Sequence, residues 1–320
     1  MMRIWWCNET TVAVEGRSQA VTMVMYTVTV SEGRGGGYVW LGRSLPSRPE
    51  LFAGLCILGF ANGIAGRVHF SVIRDGAALA LANTFSISAI VWIALVACPV
   101  LLLRAPREPP TGADLTIAAC ALAAFMLPLD PLSWVALTML ALYILRDTLF
   151  ACTKFRPGPV SFAHRGAWVL LATTVVMLWA KLLLAIASDM VLRLDAILVG
   201  WFSGTRRVGN TVQFADGDGA IWIEPPCSSV ANVSLAVLCW TLFAQARGLR
   251  WTMANAGWCL LACLAVVGIN AARIGSMALS PDHFDLIHGP VGTNIVSWLT
   301  VAAMVGVCAL GTRQGSLSRA

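Results

Sequence analysis

The chain has 320 residues, of which 58% are hydrophobic and only 12% are charged, and its mean hydropathy is +0.76. A soluble globular domain carries about 25% charged residues, and apolar runs of roughly 18 or more residues indicate transmembrane helices. The composition therefore excludes an ordinary soluble domain and predicts an all-α, polytopic membrane protein. The net charge of +6 is read as membrane topology, because no basic patch interleaved with aromatic residues indicates a nucleic-acid partner.

The N-terminal stretch 1–50 differs from the rest of the chain. It has scattered charges and no sustained hydrophobic period, and it lacks the basic–apolar–small order of a signal peptide. We expect a poorly ordered extension, or sequence upstream of the true start codon. Residues 51–312 then form the transmembrane domain, and residues 313–320 form a cytoplasmic tail.

Apolar segments in the remaining sequence predict about eight transmembrane helices. The segments are about 51–69, 77–103, 114–128, 131–145, 167–187, 228–244, 251–270 and 290–310. The third and fourth are joined by the helix-breaking turn Pro128-Leu129-Asp130-Pro131. Gly59 and Gly63 form a GxxxG motif in the first segment, which either permits close helix packing or arises by chance in a glycine-rich run.

Lysine and arginine residues in the short loops predict the orientation of the bundle. One set of loops and ends carries most of them: Arg104, Arg107, Arg146, Lys154, Arg156, Arg165, Arg247, Arg250, Arg313 and Arg319. These loops are expected to be cytoplasmic, together with both termini. The opposite ends of the helices then face the outside of the cell.

The stretch 188–226 precedes the sixth predicted span. Residues 190–202 are apolar but too short to span, and they carry Arg193 and Asp195, which predicts a helix lying in the outer interface. Two β-prone runs then flank Asp216-Gly217-Asp218-Gly219 and predict a short outer-face β-hairpin. The same four residues could instead form a calcium loop, although the other ligand positions of an EF-hand are missing.

Three reactive polar residues mark the ends of the last three predicted spans: Cys227, Arg273 and His288. Antiparallel helices that each cross about 30 Å return these three positions to one side of the membrane. A thiol, a fixed cation and an imidazole are the parts of a cysteine peptidase or transpeptidase. The positive end of the sixth helix and Arg273 would favour the thiolate, and His288 would carry the proton. His283, five residues before His288, is the competing imidazole.

Further polar residues near these three have two interpretations each. Asn270 either orients Arg273 or packs inside the bundle, and Glu224 either pairs with Arg273 or stays solvated. Ser228, with the serine after it, is expected to cap the sixth helix. Most of the ten cysteines lie inside apolar runs and are read as small hydrophobic residues. The chain has no CxxC motif, which argues against a zinc or iron–sulfur site, and no cofactor is expected.

The order of these motifs resembles the exosortase/archaeosortase family. Cys227-Ser228 stands at a helix start, Asn270-Ala271-Ala272-Arg273-Ile274 follows one helix later, and His288-Gly289-Pro290-Val291-Gly292 precedes the last helix. The resemblance covers about residues 190–310. It departs from the family pattern at Ser229, where the family usually has glycine.

The resemblance implies a transpeptidase of the bacterial inner membrane with its active site on the outer face. Its partners would be exported proteins that end in a Pro-Glu-Pro-type motif, a membrane helix and basic residues. The enzyme would cleave near the motif and transfer the protein to a surface acceptor whose nucleophile the sequence does not identify. Cys227 would be the nucleophile, with His288 and Arg273 as its partners, and Arg273 would act as an oxyanion donor or as a clamp for a substrate carboxylate.

Two other functions are compatible with a polytopic membrane protein. One is a transporter subunit in polysaccharide export, and the other is a non-catalytic assembly factor that keeps the fold. A transporter would place ionisable residues in the middle of several helices. Charges are sparse there in this sequence, which favours the enzyme.

Overall fold

The computed structural model describes residues 46–152, 160–217, 219–249 and 252–317. The described residues form eleven α-helices and three short strands. In chain order the elements are α1 (Arg48–Asp75), α2 (Ala77–Ala82), α3 (Ala89–Leu103), α4 (Gly112–Phe125), α5 (Asp130–Cys152), α6 (Phe162–Thr174), α7 (Ala180–Ser203), β1 (Arg207–Val208), β2 (Thr211–Gln213), β3 (Ala220–Trp222), α8 (Ser229–Ala246), α9 (Met253–Met277), α10 (Pro281–His288) and α11 (Pro290–Leu317). The extension expected over 1–50 lies almost wholly outside the described residues.

Five helical stretches of the described chain are long and apolar enough to cross a membrane. They are Arg48–Asp75, Phe162–Ser203, Ser229–Ala246, Met253–Met277 and Val291–Gln314. The apolar helices α3 and α4 have only 15 and 14 residues. The protein is thus a helical, multi-pass membrane protein, but helix lengths do not establish all eight spans of the sequence analysis.

The second predicted segment, 77–103, is not one helix. α2 ends before Asn83, and the next three residues, Thr84, Phe85 and Ser86, have φ angles of 52°, 55° and 54°. These left-handed conformations are costly for residues with a Cβ and cannot continue a right-handed helix. A new helix, α3, then begins at the N-cap Ser88, whose Oγ accepts a hydrogen bond from the Ile90 amide at 3.3 Å.

A helix covers the predicted interfacial segment, 190–202, and follows the fifth span directly after a bend. The helical stretch Phe162–Ser203 has 42 residues and includes a π-helical turn at Val175–Trp179. It bends at Ala187, where φ is −122° and ψ is 24°. The stretch contains no proline, and its second part ends at Gly204, which has a φ of 68°.

Close contacts fix α1 against α5 at the GxxxG motif. The indole Nε1 of Trp134 donates a hydrogen bond to the Gly63 carbonyl at 2.9 Å. A Cβ on Gly63 would lie 2.8 Å from the same indole, closer than real Cβ contacts come. Of the two interpretations of the motif, the structure supports close packing.

Arg165, near the start of α6, connects that helix to the end of α8. Its Nε and Nη2 donate hydrogen bonds to the carbonyls of Gln245 and Ala246, at 2.6 and 3.0 Å. These carbonyls belong to the last turn of α8, where the regular helical partners are missing, and Gln245 also accepts a hydrogen bond from the Gly248 amide at 3.1 Å. The arginine therefore acts as a C-terminal cap from a neighbouring helix.

The expected β-hairpin is present and carries a third strand. β1, β2 and β3 form an antiparallel sheet in that order, with Val212 opposite Ile221. The buried side of the sheet packs on α7 and on the C-terminal end of α9. The buried residues of this second apolar cluster are Leu192, Ala196, Val199, Val212, Ile221, Ile223, Ile274, Met277 and Ala278. The cluster supports the stretch that leads into Cys227.

Candidate active site

Cys227 lies at the junction between the sheet and α8. β3 ends at Trp222, the residues Pro225–Cys227 form one 3₁₀ turn, and α8 begins at Ser229. The Cys227 amide donates to the Glu224 carbonyl at 2.9 Å, which closes this turn. The two prolines have fixed φ angles, so the approach to the helix is stiff. The half-buried thiol is thereby held at the start of α8.

The first amides of α8 already have acceptors. Ser228 is the N-cap, and its Oγ accepts a hydrogen bond from the Val230 amide at 3.2 Å. The Ser229 amide donates to Oδ2 of Asp195 at 3.1 Å, and Asp195 is only 5% exposed. A carboxylate of α7 therefore sits at the positive end of α8 and partly offsets the helix dipole there. The sequence analysis did not anticipate this carboxylate.

Asn270 connects α9 directly to the Cys227 backbone. Its Nδ2 donates to the Cys227 carbonyl at 2.9 Å and to Ser229 Oγ at 3.1 Å. The side chain is 5% exposed. The sequence left open whether Asn270 orients Arg273 or packs inside the bundle. Among the described atoms, no hydrogen bond joins Asn270 to Arg273. The amide instead fixes the backbone beside the thiol.

Cys227 and His288 line the same cavity, which has a volume of about 220 Å³. Glu224 lies on it as well, and the rest of its wall is mainly apolar. The other lining residues are Ile221, Trp222, Ile223, Ile274, Met277 and Phe284. The cavity is bounded by β3, the end of α9 and α10. The thiol and the imidazole therefore share one space.

His288 ends α10, a short helix that the sequence analysis did not predict. Its ring stacks on Phe284 one turn earlier, with ring centroids 4.9 Å apart and an interplanar angle of 11°. His283 does not line the cavity, and its Nδ1 lies 2.7 Å from Ser280 Oγ at the start of α10. Of the two candidate histidines, the structure places only His288 on the cavity with Cys227.

Arg273 is connected to the His288 backbone through Thr293. Its Nη2 lies 3.5 Å from Thr293 Oγ1, which donates to the His288 carbonyl at 3.1 Å. The buried Nε has no hydrogen-bond partner in the described part of the chain, and no carboxylate described there forms an ion pair with Arg273. The pairing with Glu224 considered from sequence is thus not formed among these residues. The guanidinium keeps donors free, but Arg273 does not line the cavity itself.

Three residues at the site were missed in the sequence, although each had a signal. Asp195 is an acid inside an apolar segment, where such residues usually have a partner or a task. Phe284 stands four residues before His288, the spacing that brings two side chains together on a helix. Ser280 followed by Pro281 is a typical start of a helix, and the helix that begins there, α10, carries both Phe284 and His288.

No group of three histidine, cysteine or acidic residues that could hold a metal ion occurs within the described residues. Asp218 lies outside them, so the alternative of a calcium loop at 216–219 remains untested. In comparisons with known proteins, no family model, no curated protein and no solved structure matches this chain.

Proposed function

We propose that this protein is a membrane-embedded cysteine peptidase or transpeptidase that cleaves C-terminal sorting tails of exported proteins. The observation that carries the proposal is the shared cavity of Cys227 and His288. A thiol beside an imidazole is the basic arrangement for nucleophilic attack on a peptide carbonyl. The similarity of the motifs to exosortases supplies the substrate class, a Pro-Glu-Pro-type motif followed by a membrane helix and basic residues.

The reaction follows from these two side chains. His288 takes the thiol proton while Cys227 Sγ forms a bond to the scissile carbonyl carbon. The carbon–nitrogen bond breaks, and the leaving amine receives the proton from His288. The acyl group stays on Cys227 as a thioester. An incoming amine or water gives a proton to His288 and attacks the thioester; the carbon–sulfur bond breaks, and His288 returns the proton to the Cys227 sulfur.

Contacts from neighbouring helices would position the thiol and the imidazole. Asn270 and Asp195 fix the backbone on either side of Ser228, so that the thiol keeps one position relative to the cavity. The ring of Phe284 holds the plane of the His288 imidazole. Arg273 is the cation of the site, and we assign it to the oxyanion or to a substrate carboxylate once a peptide is bound.

The proposal includes a location. The loop charges favour an orientation in which the cavity opens on the outer, periplasmic face of a bacterial inner membrane. Exported proteins meet the enzyme on that side, and their membrane helices would bring the sorting motif to the bundle. A transporter subunit or a non-catalytic assembly factor would not need a thiol and an imidazole on one cavity.

A reporter assay tests the proposal. The reporter is a tagged secreted protein that ends in a Pro-Glu-Pro motif, an apolar helix and a basic tail, expressed together with the full chain. We expect its size to decrease with the wild-type protein and to remain unchanged with Cys227→Ala or His288→Ala. The matched control is Cys239→Ala, which removes a buried thiol of α8 away from the cavity. The mass of the product separates transfer from hydrolysis.

Processing that persists in Cys227→Ala at the wild-type level would refute the enzyme and leave the assembly-factor function. Processing that survives Cys227→Ala but is lost in Arg273→Ala would indicate a binding role for the site.

A further inference from the structure

The strand that borders the cavity has a free edge. β3 pairs only with β2 in the sheet order β1–β2–β3. The Ile223 amide donates to the Asn210 carbonyl at 3.0 Å, and the Phe214 amide donates to the Gly219 carbonyl at 3.1 Å. Backbone groups alternate between the two edges of an antiparallel strand, so these bonds place the N–H and C=O of Trp222 on the edge away from β2. Neither group has a partner within the described residues.

The cavity follows this edge. Ile221, Trp222, Ile223 and Glu224 are consecutive, and all four line it. Successive side chains of a strand point to opposite faces, and here Ile221 and Ile223 are buried while Trp222 is 67% exposed. The cavity therefore borders residues whose side chains point to opposite faces of the sheet. We infer that it lies along the edge of the strand rather than on one face. Cys227 follows in the 3₁₀ turn after the strand and lines the same cavity.

We propose that the peptide substrate binds as an extended strand added to the free edge of β3, with its backbone paired to Trp222 and its scissile carbonyl at Cys227. This inference rests on the proposed function. Strand addition supplies affinity through main-chain hydrogen bonds, and pockets for alternate side chains supply selectivity. The residue opposite Trp222 must carry a backbone N–H, so proline and N-methylated residues are excluded from that position. Apolar side chains on one side of the strand would meet Ile274, Met277 and Phe284.

A single peptide fits this edge better than a second copy of the protein. Added strands lie about 4.8 Å from the strand they join. The other lining residues, apart from Cys227, come from α10 and the end of α9, so the cavity is bounded by these helices as well as by the strand. Another sheet would have to displace α10, whereas one extended chain enters between the walls. The edge is also short, because β3 has only three residues.

Proline substitution on this strand gives a sharp test. Trp222→Pro removes the outward N–H without taking a bond from β2, because proline is tolerated on edge positions whose N–H faces away from the ladder. Trp222→Ala removes the indole but keeps the N–H. The matched control is Ala220→Pro, since Ala220 faces the same edge two residues earlier and does not line the cavity. All variants are made in the full chain in membranes.

The probes are a positional-scanning set of acetylated tetrapeptidyl chloromethyl ketones, with iodoacetamide as a probe that has no peptide backbone. Labelling of Cys227 is followed by mass spectrometry. We expect Trp222→Pro to label roughly 3- to 10-fold more slowly than Trp222→Ala with the best peptidyl probe. The rate of labelling by iodoacetamide should be equal in the two Trp222 variants, and Ala220→Pro should label at the wild-type rate with both kinds of probe. In a second series, one N-methyl group is placed at each backbone position of the probe in turn. We expect it to lower the labelling rate of the wild-type protein at one position only, and to cause no further decrease at that position in Trp222→Pro.

The outcomes separate the two proposals. A Cys227 that no peptidyl probe labels in the wild-type protein would overturn the peptidase and this inference together. A labelled Cys227 whose rate is the same in Trp222→Pro and Trp222→Ala would overturn the strand addition alone. Strand addition would also be overturned if N-methylation changed the labelling rate at no probe position. The same holds if the wild-type protein formed a dimer that Trp222→Pro abolished while the labelling rate stayed unchanged.

Discussion

Replacement of Asn270 by alanine perturbs the site at the Cys227 backbone without touching the thiol. The variant loses two hydrogen bonds, to the Cys227 carbonyl and to Ser229 Oγ, at 2.9 and 3.1 Å. Each bond contributes about 1 kcal/mol net, and the buried partners are left without a donor, so the free energy of unfolding should fall by about 2–3 kcal/mol. Because the Cys227 carbonyl is released from α9, the thiol loses its fixed position relative to His288. Misplacement of about 1 Å lowers rates by about 100-fold, so processing should fall at least 10-fold.

The chain offers a closely matched control for this variant. Asn62 on α1 also donates through Nδ2 to a backbone carbonyl, of Phe125 at 3.2 Å, and to a serine hydroxyl, of Ser133 at 2.7 Å. Asn62→Ala should therefore lose comparable stability by thermal unfolding, followed by tryptophan fluorescence, yet process the reporter normally below its unfolding temperature. If Asn270→Ala and Asn62→Ala process equally well at equal folded fraction, the positioning role of Asn270 is wrong.

Three further variants test other contacts. Phe284→Ala should slow processing several-fold with a stability loss of about 1 kcal/mol, because the ring that stacks on His288 is worth about that much. Gly63→Ala should destabilise the protein by about 1–3 kcal/mol, since its Cβ would overlap the Trp134 indole, and thermal unfolding measures this. Arg165→Met should cost about 1–3 kcal/mol of stability and leave Cys227 labelling unchanged, because it removes both donors to the end of α8.

Each of these variants has a comparison that isolates the cause. Phe284→Tyr keeps the aromatic ring, and equal loss in both variants would argue against stacking. Gly54→Ala and Gly268→Ala add a Cβ that meets nothing within 4 Å, so they should be neutral or slightly stabilising. Arg165→Lys keeps the charge but lacks the fork of donors, so it should recover only part of the loss.

The sequence predicted those features of the site that depend on local rules. Ser228 was expected to cap the sixth helix, and it is the N-cap of α8, which begins at Ser229, one residue after the predicted 228. Alternation of helices led to the expectation that Cys227 and His288 share one side, and they share a cavity. The partner of Asn270 was not predictable in this way, because it depends on the register between α8 and α9.

Hydropathy did not predict helix boundaries that are set by the backbone conformation. Nothing in the composition of 77–103 marks the three left-handed residues at 84–86, none of which is glycine. α10 has only eight residues, which is too short for an apolar window to find. The fifth span was predicted to end at 187, where the helix bends, but hydropathy gave no sign that a second helical piece follows directly through the charged residues at 189–195.

Under the proposed topology, the bend at Ala187 sets how far the site stands from the bilayer centre. From Phe162 to Ala187 the helix has roughly 26 residues and rises about 39 Å, more than the hydrocarbon thickness of about 30 Å. In the proposed orientation, with Phe162 at the inner edge of the hydrocarbon layer, the outer part of α7, which holds the start of α8 through Asp195, begins in the headgroup layer. Under the proposed function, cleavage would then depend on the distance of the motif from the lipid as well as on its sequence. Substrates whose motif is moved outward by inserted residues would escape cleavage although every motif residue is intact.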